Sequence, residues 1–194
     1  MRIFFSFLLL IISFASFSQD TIVVNIAHGS KPRHQYKDEF KTIGGKKGGH
    51  VIIQIDEFAY GFYFSGKRIH IFSHRKNRDG TFQKQTLKEW NDIVKEKKVT
   101  KIYIPVTKEE KIKLLDFYNE NLIKASYDYA FFGQRCASSA YNVLKSINRI
   151  KGDGYFFNAF YPAQLRKKII KQSKLYGYRV TVKEGSKKRI WEGD

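Results

Sequence analysis

A single cysteine and a histidine that opens a strand are the residues whose types and surroundings could do chemistry in this chain. Cys136 follows Gly133-Gln134-Arg135 and stands where a helical apolar repeat begins. Backbone amides at a helix start carry partial positive charge, and an adjacent arginine adds to it, so a thiolate is favoured there. An ordinary thiol, with a pKa of about 8.5, is only a few per cent ionised at neutral pH, so such help matters. A thiol attacking a carbonyl also needs an imidazole, to take its proton and return it to the leaving group. His50 directly follows Gly48-Gly49 and opens the apolar run HVIIQI, where a strand end can face an approaching helix terminus. His28 ends a strand and His34 lies in a basic loop, and neither is given a role.

Gly49-His50-Val51-Ile52-Ile53, followed much later by Tyr127-Asp128-Tyr129, Gly133 and Cys136-Ala137-Ser138-Ser139, resembles the permuted papain-like amidohydrolases, the NlpC-like and YiiX-like group. The resemblance covers residues 45–150 and leaves the flanks aside. In that permuted order the strand histidine precedes the helix-borne cysteine, as here. The resemblance implies Cys136 as nucleophile, His50 as general base and Tyr127 as an aid to an oxyanion hole. Core packing with a satisfied hydroxyl is the equal alternative for Tyr127.

Such families also set a polar group beside the histidine, which fixes the ring's orientation and tautomer. Two residues compete for that place. A two-residue turn at Asp56-Glu57 pairs Ile55 with Phe58, so His50 faces Tyr63 across the ladder. A second turn at Gly66-Lys67 would put His70 opposite Tyr63, two strands and about 9.6 Å from His50. Tyr63 fits by geometry and His70 by chemistry. A one-residue slip in either turn would reverse every facing. This reading invokes no metal and no cofactor.

The elements that must position these residues can be read from pattern. Thr21 to Ala27, His50 to Ile55, Phe58 to Phe64, Arg68 to Ser73, Val99 to Val106 and Tyr178 to Val182 read as strands, the second to fourth as an antiparallel meander. Thr86-Leu-Lys-Glu89 and Thr107-Lys-Glu-Glu110 are capping boxes. The first opens a helix to about Glu96. The second opens a helix with Ile112, Leu115, Tyr118 and Leu122 on its inner face. A third helix starts near Cys136 and buries Ala137, Ala140, Tyr141, Leu144 and Ile147. Pro162 suits the first turn of a fourth, carrying Leu165, Ile169 and Ile170. The fold expected is α+β, papain-like in the circularly permuted NlpC-type order, with a mostly antiparallel sheet packed against helices.

Residues 1–19 read as a cleaved secretory signal, and residues 20–194 as a single permuted papain-like domain. Met1-Arg2 precedes an apolar stretch from Ile3 to Ala15, and Ser16-Phe17-Ser18 supplies the small residues of a cleavage site. That stretch is short of the roughly 20 residues that span a bilayer, so no transmembrane segment remains after cleavage. A secreted or periplasmic place sharpens the question of Cys136, because exported proteins usually spend cysteines in pairs. The glycine pairs at 44–45 and 48–49 lack the spacing of a phosphate cradle and are explained by turns.

Thirty-six Lys and Arg against 18 Asp and Glu give +18. Apolar content of 42% with only 3 prolines excludes a disordered or Pro-rich chain. The excess charge, dense at 166–174 and 183–189, is either a solvated face or an attraction to polyanions. For an exported protein the available polyanions are envelope polymer and lipid, and nucleic acid is not expected because no recognition motif appears. The function expected is an exported cysteine hydrolase cleaving an amide, with a peptidoglycan peptide implied by the resemblance. A lipid ester or amide hydrolase is the near alternative. A non-catalytic basic module binding the envelope on the same fold is the competing class.

Overall fold

The computed structural model describes residues 20–36, 45–74, 79–152, 154 and 158–193. Residues 1–19, read above as a signal, and part of the basic loop before His50 lie outside them. Among the described residues eight strands and four α-helices follow one another: β1 Asp20–His28, β2 Ser30–Pro32, β3 Gly49–Ile55, β4 Phe58–Phe64, β5 Gly80–Thr86, α1 Leu87–Ile93, β6 Val99–Val106, α2 Lys108–Ile123, α3 Cys136–Ser146, α4 Pro162–Tyr176, β7 Arg179–Lys183 and β8 Arg189–Trp191. Six strands form one sheet in the order β5-β4-β3-β1-β6-β7, every pair antiparallel, while β2 and β8 pair separately. The chain is therefore α+β with an antiparallel sheet.

Alternation decides which face each strand residue serves. Val51, Ile53 and Ile55 of β3 join Ile22, Val24 and Ile26 of β1 in the main core under α2, α3 and α4. Ile52, Ala27, Ala59 and Val99 face the other way, onto Trp90 and Val94. Burying a side chain of this size contributes about 1.5–3 kcal/mol, so this two-sided packing makes the register hard to shift. The Asp56-Glu57 turn closes the β3–β4 hairpin with Ile55 opposite Phe58 and Ile52 opposite Gly61. Continued by two residues, that register sets His50 against Tyr63.

Both expected capping boxes are formed. Glu89 N–H donates to Thr86 Oγ1 and Thr86 N–H to the Glu89 carboxylate, at 3.2 and 2.7 Å. Glu110 and Thr107 repeat the exchange at 3.2 and 2.8 Å. The first helix stops at Ile93, three residues short of the expected end. Of the inner face expected on α2, Tyr118 is buried and Leu115 and Leu122 pack against the core, but Ile112 is 49% exposed, and Leu114 and Asn121 are buried as well. Asn121 can be buried because its Oδ1 accepts from Ser126 N–H and Oγ, at 2.9 and 2.7 Å.

The expected strand from Arg68 to Ser73 is absent. The third strand of the meander is β5, which sets Thr81 opposite Tyr63. Phe82 anchors it, packing on Phe62 at 4.8 Å between ring centroids and edge-on to Phe117 and Tyr127. Residues 68–73 offer no such inward alternation, since Ile69, Ile71 and Phe72 all point outward. They run instead beside the turn that precedes α3, through a parallel bridge from His70 to Ala130. The short β2–β8 pair carries no hydrophobic alternation, and its buried Arg189 donates to Ser30 Oγ at 2.8 Å.

Gly49 makes the entry to β3 possible. Its φ is +105°, and a Cβ there would sit 2.4 Å from the Ala27 carbonyl oxygen. Gly49→Ala is expected to lower unfolding stability by about 2 kcal/mol or more, from backbone strain plus that clash. Urea denaturation checks it; an unchanged midpoint would contradict the geometry.

Candidate active site

Cys136 is the first residue of α3, and the helix start is built around its neighbours. Ser138 Oγ accepts from Arg135 N–H at 2.7 Å and donates back to the Arg135 carbonyl at 3.1 Å. The Arg135 guanidinium lies over the Phe160 ring at 3.7 Å from its centroid, with Tyr161 and Phe131 around it. Its Nη2 also donates to the Phe160 carbonyl. Around Cys136, the N–H groups of Val51 and Ala137 and the hydroxyl of Tyr129 act to lower the thiol's pKa. These donors and Arg135 all favour the thiolate. Burial opposes them and prevails, pushing the thiol up from its ordinary value in a residue only 5% exposed. The expected helix-start assistance is present but outweighed.

His50 enters from the neighbouring strand end. Its ring packs on Tyr63 at 4.3 Å between centroids and tilts toward Trp90 at 6.2 Å. Burial, helped by the positive charge of Lys97, brings its pKa down to about 3, so the ring is neutral at pH 7. Nε2 is buried and makes no hydrogen bond among the described residues. Gln85 Oε1 and Trp90 Nε1 are likewise buried without partners. Strand alternation puts His50 on the α1 side of the sheet, whereas α3 lies on the opposite side. The two meet at the end of β3, where both line one cleft of about 490 Å³. No hydrogen bond joins thiol to imidazole.

The remaining candidates separate. Tyr63 stands beside His50 and lines the same cleft, packing on the ring in a tilted pair rather than through a hydrogen bond. The Tyr63 hydroxyl instead accepts from Gln85 Nε2. His70 is not on a strand next to Tyr63. Its Nε2 lies 2.9 Å from Asp79 and its Nδ1 3.2 Å from Asp128, so both ring nitrogens are committed away from His50. Tyr127 does not reach the cleft: its hydroxyl pairs with Ser139 Oγ at 2.7 Å, and its ring packs edge-on to Phe62 and Phe82. Burial raises its pKa to about 12, against the Ser139 hydrogen bond, which lowers it. The core-packing alternative describes it.

Tyr129 is the residue the sequence reading passed over. It shares the Tyr-Asp-Tyr run with Tyr127 but lies two residues nearer the helix, in an isolated bridge to Gln134. Its phenol lies beside Cys136 on the cleft wall, and burial with the charge of Cys136 pushes its pKa up. The signal was present as a second tyrosine of the same parity, but nothing local says which one turns toward the thiol. Lys47, Phe64, Ile69, Phe131, Phe160 and Pro162 complete walls that are largely apolar. Among the described residues no cluster of three or more His, Cys, Asp or Glu side chains is placed to hold a metal ion.

Two pH dependences follow. Iodoacetamide alkylation of Cys136 is expected to be slow at pH 7 and to accelerate only above the ordinary thiol range. Tyr129→Phe, which removes one donor to the thiolate, shifts that profile further up; an unmoved profile would deny the contact. His50 carries a depressed folded pKa, so the unfolded chain binds the proton more readily. Its stabilising contribution is whole above the ordinary value of 6.5 and is lost as the pH falls toward about 3. Denaturation of wild type against His50→Phe across that window should show the acid loss only in wild type.

No family model matches the chain, and no curated protein matches it. Among solved structures, the crystal structure of a type VI secretion system effector, TseH, is similar to it at 12% identity, with a TM-score of 0.48. The match covers 86% of this chain and 100% of that one.

Proposed function

We propose that the protein is an exported cysteine hydrolase that cleaves an amide by acyl transfer, on a sheet and helix arranged in the permuted papain-like order. One observation carries the reading: a lone, buried cysteine at a helix start lines one cleft with a neutral imidazole, and the neighbouring N–H groups and the Tyr129 hydroxyl favour its thiolate. A neutral imidazole is the form competent to accept a proton. In the first step His50 takes the thiol proton while sulfur bonds to the substrate carbonyl carbon. The donors around the sulfur and the Tyr129 hydroxyl meet the negative charge that develops. The C–N bond then breaks, the imidazolium returns its proton to the leaving amine, and a thioester remains. Water, deprotonated by His50, splits the thioester into a carboxylic acid and the free thiol.

The step requires the ring to swing from its contact with Tyr63 toward the sulfur when substrate enters. A cell-wall peptide is the substrate that the resemblance implies, and an ester or amide of a lipid is the alternative that the apolar walls suit. A second reading, a non-catalytic basic module of the envelope, is favoured by a specific observation: thiol and imidazole are not hydrogen-bonded, and Nε2 of His50 has no orienting partner.

Turnover decides between them. On purified peptidoglycan and on acyl-amide and acyl-ester lipids, Cys136→Ser is expected to lower turnover by about 10³-fold or more, and His50→Ala by about 10²-fold or more. Binding of polymer should survive both substitutions. Salt-sensitive binding with no turnover by any of the three proteins would replace the hydrolase with the module.

A further inference from the structure

Beside the mouth of the cleft two loops are zipped together and present apolar side chains to solvent. Phe131 N–H donates to the His70 carbonyl at 2.7 Å, and Phe132 N–H to the Ile71 carbonyl at 2.8 Å. Phe72 is 70% exposed, Ile71 63% and Phe132 47%, with Phe72 stacked on Phe132 at 5.7 Å. The patch is continuous with the cleft, because Phe131 and Phe132 both pack on Phe160, which lines it. Its base is rigid. The buried Asp128 carboxylate accepts the backbone N–H groups of His74 and Asp79, both at 2.7 Å, and holds His70 against Asp79. Soluble chains rarely expose such a cluster without a use for it.

We infer that this two-loop tip is a docking surface for an anionic phospholipid bilayer. Aromatic and aliphatic side chains at a loop tip enter the headgroup boundary, and flanking cations anchor them to anionic lipid. Lys67 and Arg68 lead into the tip on the same loop and are exposed, and Lys47 lines the adjoining cleft. The nearby carboxylates, Asp79 and Asp128, are already engaged by His70. A second copy of this chain fits less well, since a molecule of +18 would bring its own cations against their counterparts. Docking aims the cleft mouth at the bilayer. This deepens the proposed hydrolase, on which it rests for any catalytic consequence, by making the scissile amide or ester one borne by a membrane lipid.

The test is flotation of the full chain with vesicles of phosphatidylglycerol and phosphatidylcholine, and with phosphatidylcholine alone. Wild type is expected to float with the anionic vesicles and much less with the neutral ones. Phe72→Ser with Phe132→Ser is expected to weaken binding about tenfold or more, while sharing the same N-terminus. Cys136→Ser is expected to bind like wild type, so docking stands or falls separately from turnover. Phe72→Trp supplies a readout without loss of fold: its emission should shift to the blue on anionic vesicles. No flotation of wild type, equal flotation of the double variant, or no blue shift overturns the inference. So does a dimer in sedimentation that the double variant abolishes, because the tip would then serve a second copy.

Discussion

The register of β3 between β1 and β4 is the constraint on which the candidate site depends. Val51, Ile53 and Ile55 must face the main core, and Ile52 must face Trp90. A slip of one residue would expose the first set and bury polar side chains in its place, at a cost far beyond what any loop contact returns. With that register held, the Val51 N–H is set to favour the Cys136 thiolate, and His50 stands at the strand end against Tyr63 and Trp90. The Gly49 backbone, at φ +105°, lets the chain enter β3 against β1 without displacing it.

At the site itself, burial and charge stabilisation compete. A helix N-terminus contributes about 0.3–1 kcal/mol to a nearby anion, whereas removing an ionised group from water costs several kcal/mol. That inequality explains why the thiol is pushed up despite three donors and an arginine, and why the imidazole is pushed down. A pair left neutral in this way stores no ion pair in the resting protein. Its charge would appear only as substrate is attacked, where the same low-polarity walls make each oriented donor count for more.

His70 shows how a residue of suitable chemistry can serve another purpose. Held between Asp79 and Asp128, it belongs to a hydrogen-bonded base under the two exposed loops rather than to the thiol. Asp128 is the organising group there, since its buried carboxylate gathers a side chain and two backbone N–H groups from residues 49 to 58 positions away in the sequence. The aromatic tip above it and the cleft beside it thus share one foundation.

Much of this architecture is written in local pattern. The alternation in TIVVNIA and HVIIQI, the Asp56-Glu57 turn, the two Thr-x-x-Glu caps, the helix start at Cys136 and Pro162 at a first turn each specify an element over a few residues, because period, turn chemistry and caps act locally. The facing of His50 and Tyr63 followed from a hairpin whose turn length was readable. What failed were decisions made between distant segments. Arg68 to Ser73 reads as a strand by composition, yet β5 takes that edge because Phe82 reaches the Phe62, Phe117 and Tyr127 cluster. The choice of Tyr129 over Tyr127 near the thiol, and the exposure of Ile112 while Leu114 is buried, were likewise settled by which side chain found a partner across the core. Only the tertiary structure could decide whether thiol or thiolate prevails, because the desolvation that opposes the helix start comes from residues packed around Cys136, and no neighbour in sequence reports it.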